Sequence, residues 1–428
     1  MSIPIDDAAL ARALVAARRH LLPLLVLVYV VAWLDRVNIG FAALQMNRDL
    51  GFSAAVYGFG AGLFFVSYGL LEIPSNLVLA RVGARRWLAR ILVSWGLITA
   101  ATAWVRTPGQ FYAMRCLLGA AEAGCLPGVI YFLGNWFPAR ERGRVMALLM
   151  LAIPLASIIG GPLAGALLGL NGRGGLAGWQ WLLLLEGLPA VLLGIIVLRR
   201  LPDTPESACW LDAGARAALV ASLERSRSDA GIPAHASWTA VFTDSLVWRL
   251  AAAQMLGNVG SFGLQFWMPQ ILKSVSGAGD LLVGVVAALP FIPAALVMVY
   301  IGRRSDRSGE RAWHAAVPCM VAAGGFALAA LVHSTAAALA AMTIAACGIY
   351  GRHGPSWAVP TTYLSGRAAA AGIALINSVG AVGGLVGPWA VGLFKGASGG
   401  YAGAFLFLGA ALAIAAAIFA TLPLRGAR

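Results

Sequence analysis

Apolar positions in this chain gather into twelve long runs, near 21-45, 55-80, 87-106, 110-134, 145-170, 179-200, 246-271, 281-302, 313-333, 337-362, 368-394 and 400-424. Each approaches the roughly 20 residues that a helix needs to cross a bilayer. Polar residues are confined to short connections, except along one Pro-, Ser-, Asp- and Arg-containing stretch from Pro202 to about Asp244, which reads as a loop. The pattern predicts an all-α membrane protein of twelve transmembrane helices and leaves no room for a large extramembrane catalytic module.

Two runs carry charge near their middles. Asp35 and Arg36 lie inside Leu21 to Leu44, and Arg115 and Glu122 lie inside Gln110 to Gly134. A charged side chain at mid-bilayer costs at least about 2.5 to 3.5 kcal/mol, so it persists only when it faces a partner or a wet cavity. The function should therefore involve handling charge within the membrane. Neighbouring residues on a helix point about 100° apart, so Asp35 and Arg36 face different surroundings. Arg115 is the expected partner of Asp35, which leaves Arg36 facing a cavity. Arg115 and Glu122, seven residues apart, share one helical face. Arg36, Tyr68 and Glu122 fall near the centres of their spans and can meet in one central space.

Composition agrees with the class: 60% of the residues are hydrophobic and 11% charged, with a mean hydropathy of +0.82. The net charge of +14 does not point to nucleic acid, because its placement follows the membrane. Of 31 Lys and Arg residues, five (Arg48, Arg106, Arg173, Lys273 and Lys395) occupy one set of loops and three lie deep within spans, leaving 23 on the other side. That bias puts both termini in the cytoplasm. Cys116, Cys125, Cys209, Cys319 and Cys347 form neither a disulfide framework nor a metal-ligand spacing, and no cofactor is expected. No cleavable signal peptide is apparent before the first run.

The chain also repeats. The basic turns at Arg81 and Arg307 are 226 residues apart, and so are the Gly161-Pro162 and Gly387-Pro388 pairs. A duplicated six-helix unit follows, with an amino-terminal half over 1-201, a cytoplasmic linker over 202-244 and a carboxy-terminal half over 245-428.

Two six-helix halves with a basic, glycine-containing turn between helices two and three of each resemble the major facilitator superfamily. The loop pattern G-x-x-x-D-R-x-G-x-R is complete from Gly302 to Arg311 and degraded in the first half, where Asn76 and Ala80 replace its Gly and Asp. The strings Leu34-Asp35-Arg36-Val37-Asn38-Ile39-Gly40-Phe41-Ala42, Glu72-Ile73-Pro74-Ser75-Asn76, Gly83-Ala84-Arg85-Arg86 and Trp136-Phe137-Pro138-Ala139-Arg140-Glu141-Arg142 resemble the anion:cation symporter family, which includes bacterial permeases for tartrate, phthalate, glucarate and galactonate. The resemblance implies a multi-pass protein of the bacterial inner membrane that imports a small organic anion with protons. It also implies that Arg36 holds the substrate carboxylate, that Tyr68 hydrogen-bonds it, and that Asp35 and Glu122 carry protons.

Arg352 and His353, before Gly354-Pro355 in the tenth span, depart from the family pattern. Either they bind a second carboxylate, which favours a dicarboxylate such as tartrate, or Arg352 pairs with a backbone carbonyl freed by Pro355 or faces a lateral gap. Asn258 and Gln254 in the seventh span and Asn377 in the eleventh are candidate substrate contacts or helix-to-helix hydrogen bonds. Glu72 and Glu186, nearer span ends, read as structural. The alternatives to a symporter are an exporter, suggested by Gly160-Gly161-Pro162, a channel, and an intramembrane hydrolase built on Asp35 or His353. The last lacks any catalytic constellation.

Overall fold

The computed structural model describes residues 6-229, 241-363 and 366-422. Part of the 202-244 linker and the carboxyl terminus lie outside those residues. The helices, in chain order, are α1 (Asp7–Asp49), α2 (Ala54–Val82), α3 (Ala84–Thr102), α4 (Pro108–Glu122), α5 (Cys125–Gly134), α6 (Ala139–Met150), α7 (Ala152–Leu168), α8 (Gly178–Arg200), α9 (Ala213–Asp229), α10 (Ser245–Ser276), α11 (Asp280–Ala288), α12 (Phe291–Ser308), α13 (Ala312–Leu331), α14 (Thr335–Gly351), α15 (His353–Tyr363), α16 (Gly366–Ser398) and α17 (Ala402–Ala420). Twelve spans result because four of them are broken in two, as α4/α5, α6/α7, α11/α12 and α14/α15. Ten spans are long and apolar enough to cross a membrane on composition alone. The other two are α3, which opens on Arg85, Arg86 and Arg90, and α10, which carries Gln254, Asn258, Gln265 and Gln270.

Two expectations about the ends change. The first span begins at Asp7, where the Asp6 carboxylate accepts the amides of Ala8 (2.9 Å) and Ala9 (3.2 Å). Its extension buries Ala9, Leu10, Ala13, Leu14 and Ala17, a helical stripe, and α1 packs on α9. The linker is thus not all loop. Ala- and Leu-rich 213-229 has strong helix propensity, and Asp212 caps it through the amide of Ala215 at 2.7 Å. Trp210 stacks on His20 with ring centroids 4.5 Å apart, which fixes the linker to the base of α1.

The two sets of six spans meet along α1 with α10, α2 with α16, and α7 with α11. Glycine makes these crossings close: a Cβ on Gly161 would run into the carbonyl of Gly284, and one on Gly284 into that of Gly161. The Gly-Pro pairs of the repeat lie at such crossings, since a Cβ on Gly58 would strike the Pro388 carbonyl. Hydrogen bonds between the halves run from Tyr57 Oη to the Phe266 carbonyl (2.9 Å), from Gln45 Nε2 to Asp280 (2.8 Å) and from Asn47 Nδ2 to Gln270 (3.3 Å). All three lie toward the end of the bundle away from α9. Between Val37, Phe41, Ser157, Gln265, Met268 and Phe291 the remaining space is about 10 Å³, at the lower limit for one water. The bundle is closed at that end.

Candidate substrate and proton site

The fourth span breaks at the residue that matters most. α4 ends on Glu122, Ala123 is extended, and Gly124 adopts φ +85, a left-handed conformation that glycine accepts without strain. A break inside a membrane frees carbonyls that water cannot reach. Here Ser75 Oγ donates to the Ala123 carbonyl at 2.6 Å and Arg90 to the Ala121 carbonyl at 3.3 Å. Trp87 Nε1 in turn donates to Ser75 Oγ at 2.9 Å. Ser75, within the Glu72-to-Asn76 string, thereby fixes the break, and the break aims Glu122 inward.

Glu122 forms an ion pair with Arg36, and only 1% of its side chain is exposed. The Arg36 guanidinium lies among aromatic faces, 5.0 Å from the Trp33 ring, 5.2 Å from Phe64 and 5.3 Å from Tyr68. Tyr68 stacks on Phe64 at 5.6 Å. Arg36, Tyr68 and Glu122 are therefore brought together as expected. Two polar atoms of the cluster, Arg36 Nε and Glu122 Oε2, have no hydrogen-bond partner in the protein. On the closed side, Phe65 packs on Phe262 of α10 at 4.2 Å and makes an apolar seal between the halves.

Asp35 does not pair with Arg115. Its Oδ1 accepts Asn38 Nδ2 at 3.1 Å and its Oδ2 accepts Thr99 Oγ1 at 3.0 Å. Arg115 instead donates to the Ala61 carbonyl at 3.0 Å, with its guanidinium 5.2 Å from the Phe64 ring. The expected ion pair is replaced by neutral donors because α3 inserts Thr99 against α1 and α2 offers Arg115 a backbone acceptor. Asn38 was legible as a neighbour, three residues along the same helix. Thr99 gave no signal.

Arg352 is fully buried at the break between α14 and α15. It donates to Gln254 (3.3 Å), Asn258 (3.2 Å) and Ser261 (3.2 Å), all on α10. Its guanidinium lies where a Cβ on Gly257 would be. Two sequence expectations are corrected: Arg352 neither satisfies a carbonyl released by Pro355 nor projects toward Arg36, because the polar face of α10 holds it within the last six spans. Among the described residues no carboxylate lies within ion-pair distance of it. His353 stacks on Tyr350 at 5.6 Å, and its Nδ1 has no partner. Asn258 also donates to the Gly380 carbonyl at 3.0 Å. Asn377 reaches across the halves, where its Nδ2 lies 2.8 and 2.6 Å from the two carboxylate oxygens of Glu72. Glu186 is buried on α8, and its Oε2 has no partner.

The sequence pattern of the Major Facilitator Superfamily matches residues 25–388. The chain belongs to the major facilitator superfamily. Over 406 residues this facilitator is 46% identical to a protein of Agrobacterium vitis named "Putative tartrate transporter", covering 95% of the present chain and 90% of that one. It is also 41% identical over 388 residues to a "Quinolone resistance transporter" of Acinetobacter baumannii, covering 91% and 89% of the two chains. Among solved structures, a bacterial homologue of the human lysosomal transporter Spinster, inward-facing and occupied, superposes with a TM-score of 0.74 at 19% identity over 94% of this chain and 96% of that one. The Escherichia coli xylose transporter XylE, partially occluded and inward open, gives 0.74 at 13% identity over 94% and 97%. These two similarities establish the fold. The facilitator is thus a transporter and not an enzyme.

Proposed function

We propose that this facilitator is a proton-coupled symporter that imports a small dicarboxylate of the tartrate type by alternating access. The observation that carries the reading is the buried Arg36–Glu122 pair beside Tyr68, with one donor and one acceptor atom left without protein partners. A substrate carboxylate is a better ligand for the planar guanidinium fork than a single glutamate oxygen, since it can accept two parallel hydrogen bonds. When the substrate takes Arg36, Glu122 becomes a buried carboxylate without its counter-ion. Breaking such a pair from one side costs about 3 to 5 kcal/mol, which protonation of Glu122 relieves. Substrate capture and proton uptake become one event. Asp35, held by the neutral donors Asn38 and Thr99 and by no contacting cation, is the second proton carrier. Import of an anion is opposed by about 2.3 kcal/mol per charge per 100 mV, and two protonatable carboxylates offset that for a dianion.

The second acid group is drawn to the last six spans by Arg352. A buried cation with only neutral ligands leaves a positive potential at the α10 surface, where Asn258, and Asn377 across from it on α16, offer polar contacts. In this reading Arg352 acts from behind Asn258 and does not touch substrate in the present state. His353 is a minor member of the same wall. The proposal includes the division into 1-201, 202-244 and 245-428, cytoplasmic termini and the bacterial inner membrane, which the distribution of Lys and Arg supports. On that topology the closed end is periplasmic.

Calorimetry on the purified protein tests the substrate class. Tartrate should bind about tenfold or more tighter than glycerate, which lacks one carboxylate, and Arg352→Gln should narrow that ratio while leaving glycerate binding in place. Equal losses for both acids would return Arg352 to a purely structural role. The relative named for quinolone resistance favours a second reading, an exporter of organic anions or drugs. Saturable binding of a quinolone, with none of tartrate, would establish it.

A further inference from the structure

Glu72 was expected to be structural, yet its surroundings do not suit a structural carboxylate. It lies one turn beyond Tyr68 on α2, hence on the face that borders Arg36. Both of its oxygens lie within reach of one Asn377 Nδ2, at 2.8 and 2.6 Å, so a single donor serves two acceptors. Among the described residues no Lys, Arg or His comes within 4 Å of it. A carboxylate kept for stability usually gathers a cation or several donors. The bond also joins α2 to α16, elements of opposite halves that must move relative to each other if access alternates. Other bonds between the halves involve backbone carbonyls, neutral side chains or the rim residue Asp280. The Glu72–Asn377 contact alone among these places a carboxylate on a side-chain amide of α16.

We propose that Glu72 is an internal stand-in for the substrate: in the empty carrier its carboxylate occupies the Asn377 amide of the opposite half, and an incoming acid displaces it. The proposal rests on the symporter reading above, in which Asn377 belongs to the wall that receives the far end of the substrate. Chemically the exchange is like for like, one carboxylate replacing another on one amide donor. It resembles what Glu122 does for Arg36 at the near end, so that in the empty carrier both ends of the site are held by the protein's own carboxylates. Filling both would release the two glutamates together and loosen α2 from α16. An internal competitor lowers apparent affinity by the fraction of carriers in which it is seated. Removing it should therefore tighten binding, the opposite of what loss of a structural bond does.

The test is a double-mutant cycle with tartrate as the probe. Glu72→Ala should bind tartrate about threefold or more tighter than the wild type. The gain should disappear when Asn377→Ala is already present. Folding of each variant is checked by its melting profile, and Glu72→Gln, which keeps an acceptor for Asn377, serves as a milder second variant with a smaller gain. Unchanged or weaker tartrate binding by both folded Glu72 variants overturns the proposal. A separate measurement needs no ligand. Spin labels at Val82 on α2 and Arg303 on α12, both exposed near the carboxyl ends of their helices, report the separation of the halves by pulsed dipolar spectroscopy. Without ligand, Glu72→Ala should raise the population with longer separations, because a bond that ties α2 to α16 is gone. If no variant binds tartrate, the substrate reading fails, and this distance distribution decides the role of Glu72: an unchanged distribution overturns it.

Discussion

Glu122→Gln is expected to abolish accumulation of substrate driven by a proton gradient, with steady-state uptake falling by more than about tenfold, while exchange of internal for external substrate continues. The amide keeps the size of the side chain and a hydrogen bond to Arg36, so the fold and the anion site survive. It cannot take up and release a proton, so the step that links substrate capture to proton binding is lost. The two halves of the prediction check each other. Loss of both accumulation and exchange would mean a damaged site, and proton-driven accumulation at the wild-type level would remove Glu122 from coupling.

Arg36 should produce the largest loss of binding. Arg36→Lys keeps the charge but gives up the planar fork and its stacking among Trp33, Phe64 and Tyr68, and should weaken tartrate about tenfold. Arg36→Ala removes both hydrogen bonds and the charge. At about 1.5 to 3 kcal/mol for each charged hydrogen bond, it should weaken binding by about a hundredfold or more. It also strands Glu122 as an unpaired buried carboxylate, so Arg36→Ala with Glu122→Gln is the control that separates lost substrate contact from that penalty. Calorimetric affinities for the three variants give the comparison. Near-wild-type affinity in either Arg36 single variant would put the carboxylate elsewhere.

The sequence showed the class, the spans and the central depth of Arg36 and Glu122, because each rests on a cost too large to hide. Twelve apolar runs are what a bilayer demands of helices, and charge at mid-span is too costly to persist without a purpose. Arg36 and Glu122 were found that way and do meet. What the sequence hid depends on lateral packing. Thr99 replaces Arg115 as the partner of Asp35 because α3 brings that hydroxyl within reach of α1, and nothing in either helix alone indicates that contact. Arg352 looked like a cavity residue because its position in the span is central. Depth could be read from the chain but direction could not, and the side chain turns to α10. The break after Glu122 was legible only in hindsight, as Ala123-Gly124 followed by Cys125-Leu126-Pro127, where a run of apolar residues suggested one unbroken helix. Glu72 shows the same limit: its depth suggested structure, and only α16 reveals that it faces the other half.

The central claim is that acid and proton move together through the Arg36–Glu122 site, and the most direct measurement is uptake of labelled tartrate into proteoliposomes holding the purified protein. With the interior more alkaline than the exterior, tartrate should accumulate above its external concentration, the lumen should acidify as it enters, and a protonophore should collapse both. Tartrate that only equilibrates across the membrane, or that accumulates without movement of protons, would contradict the account.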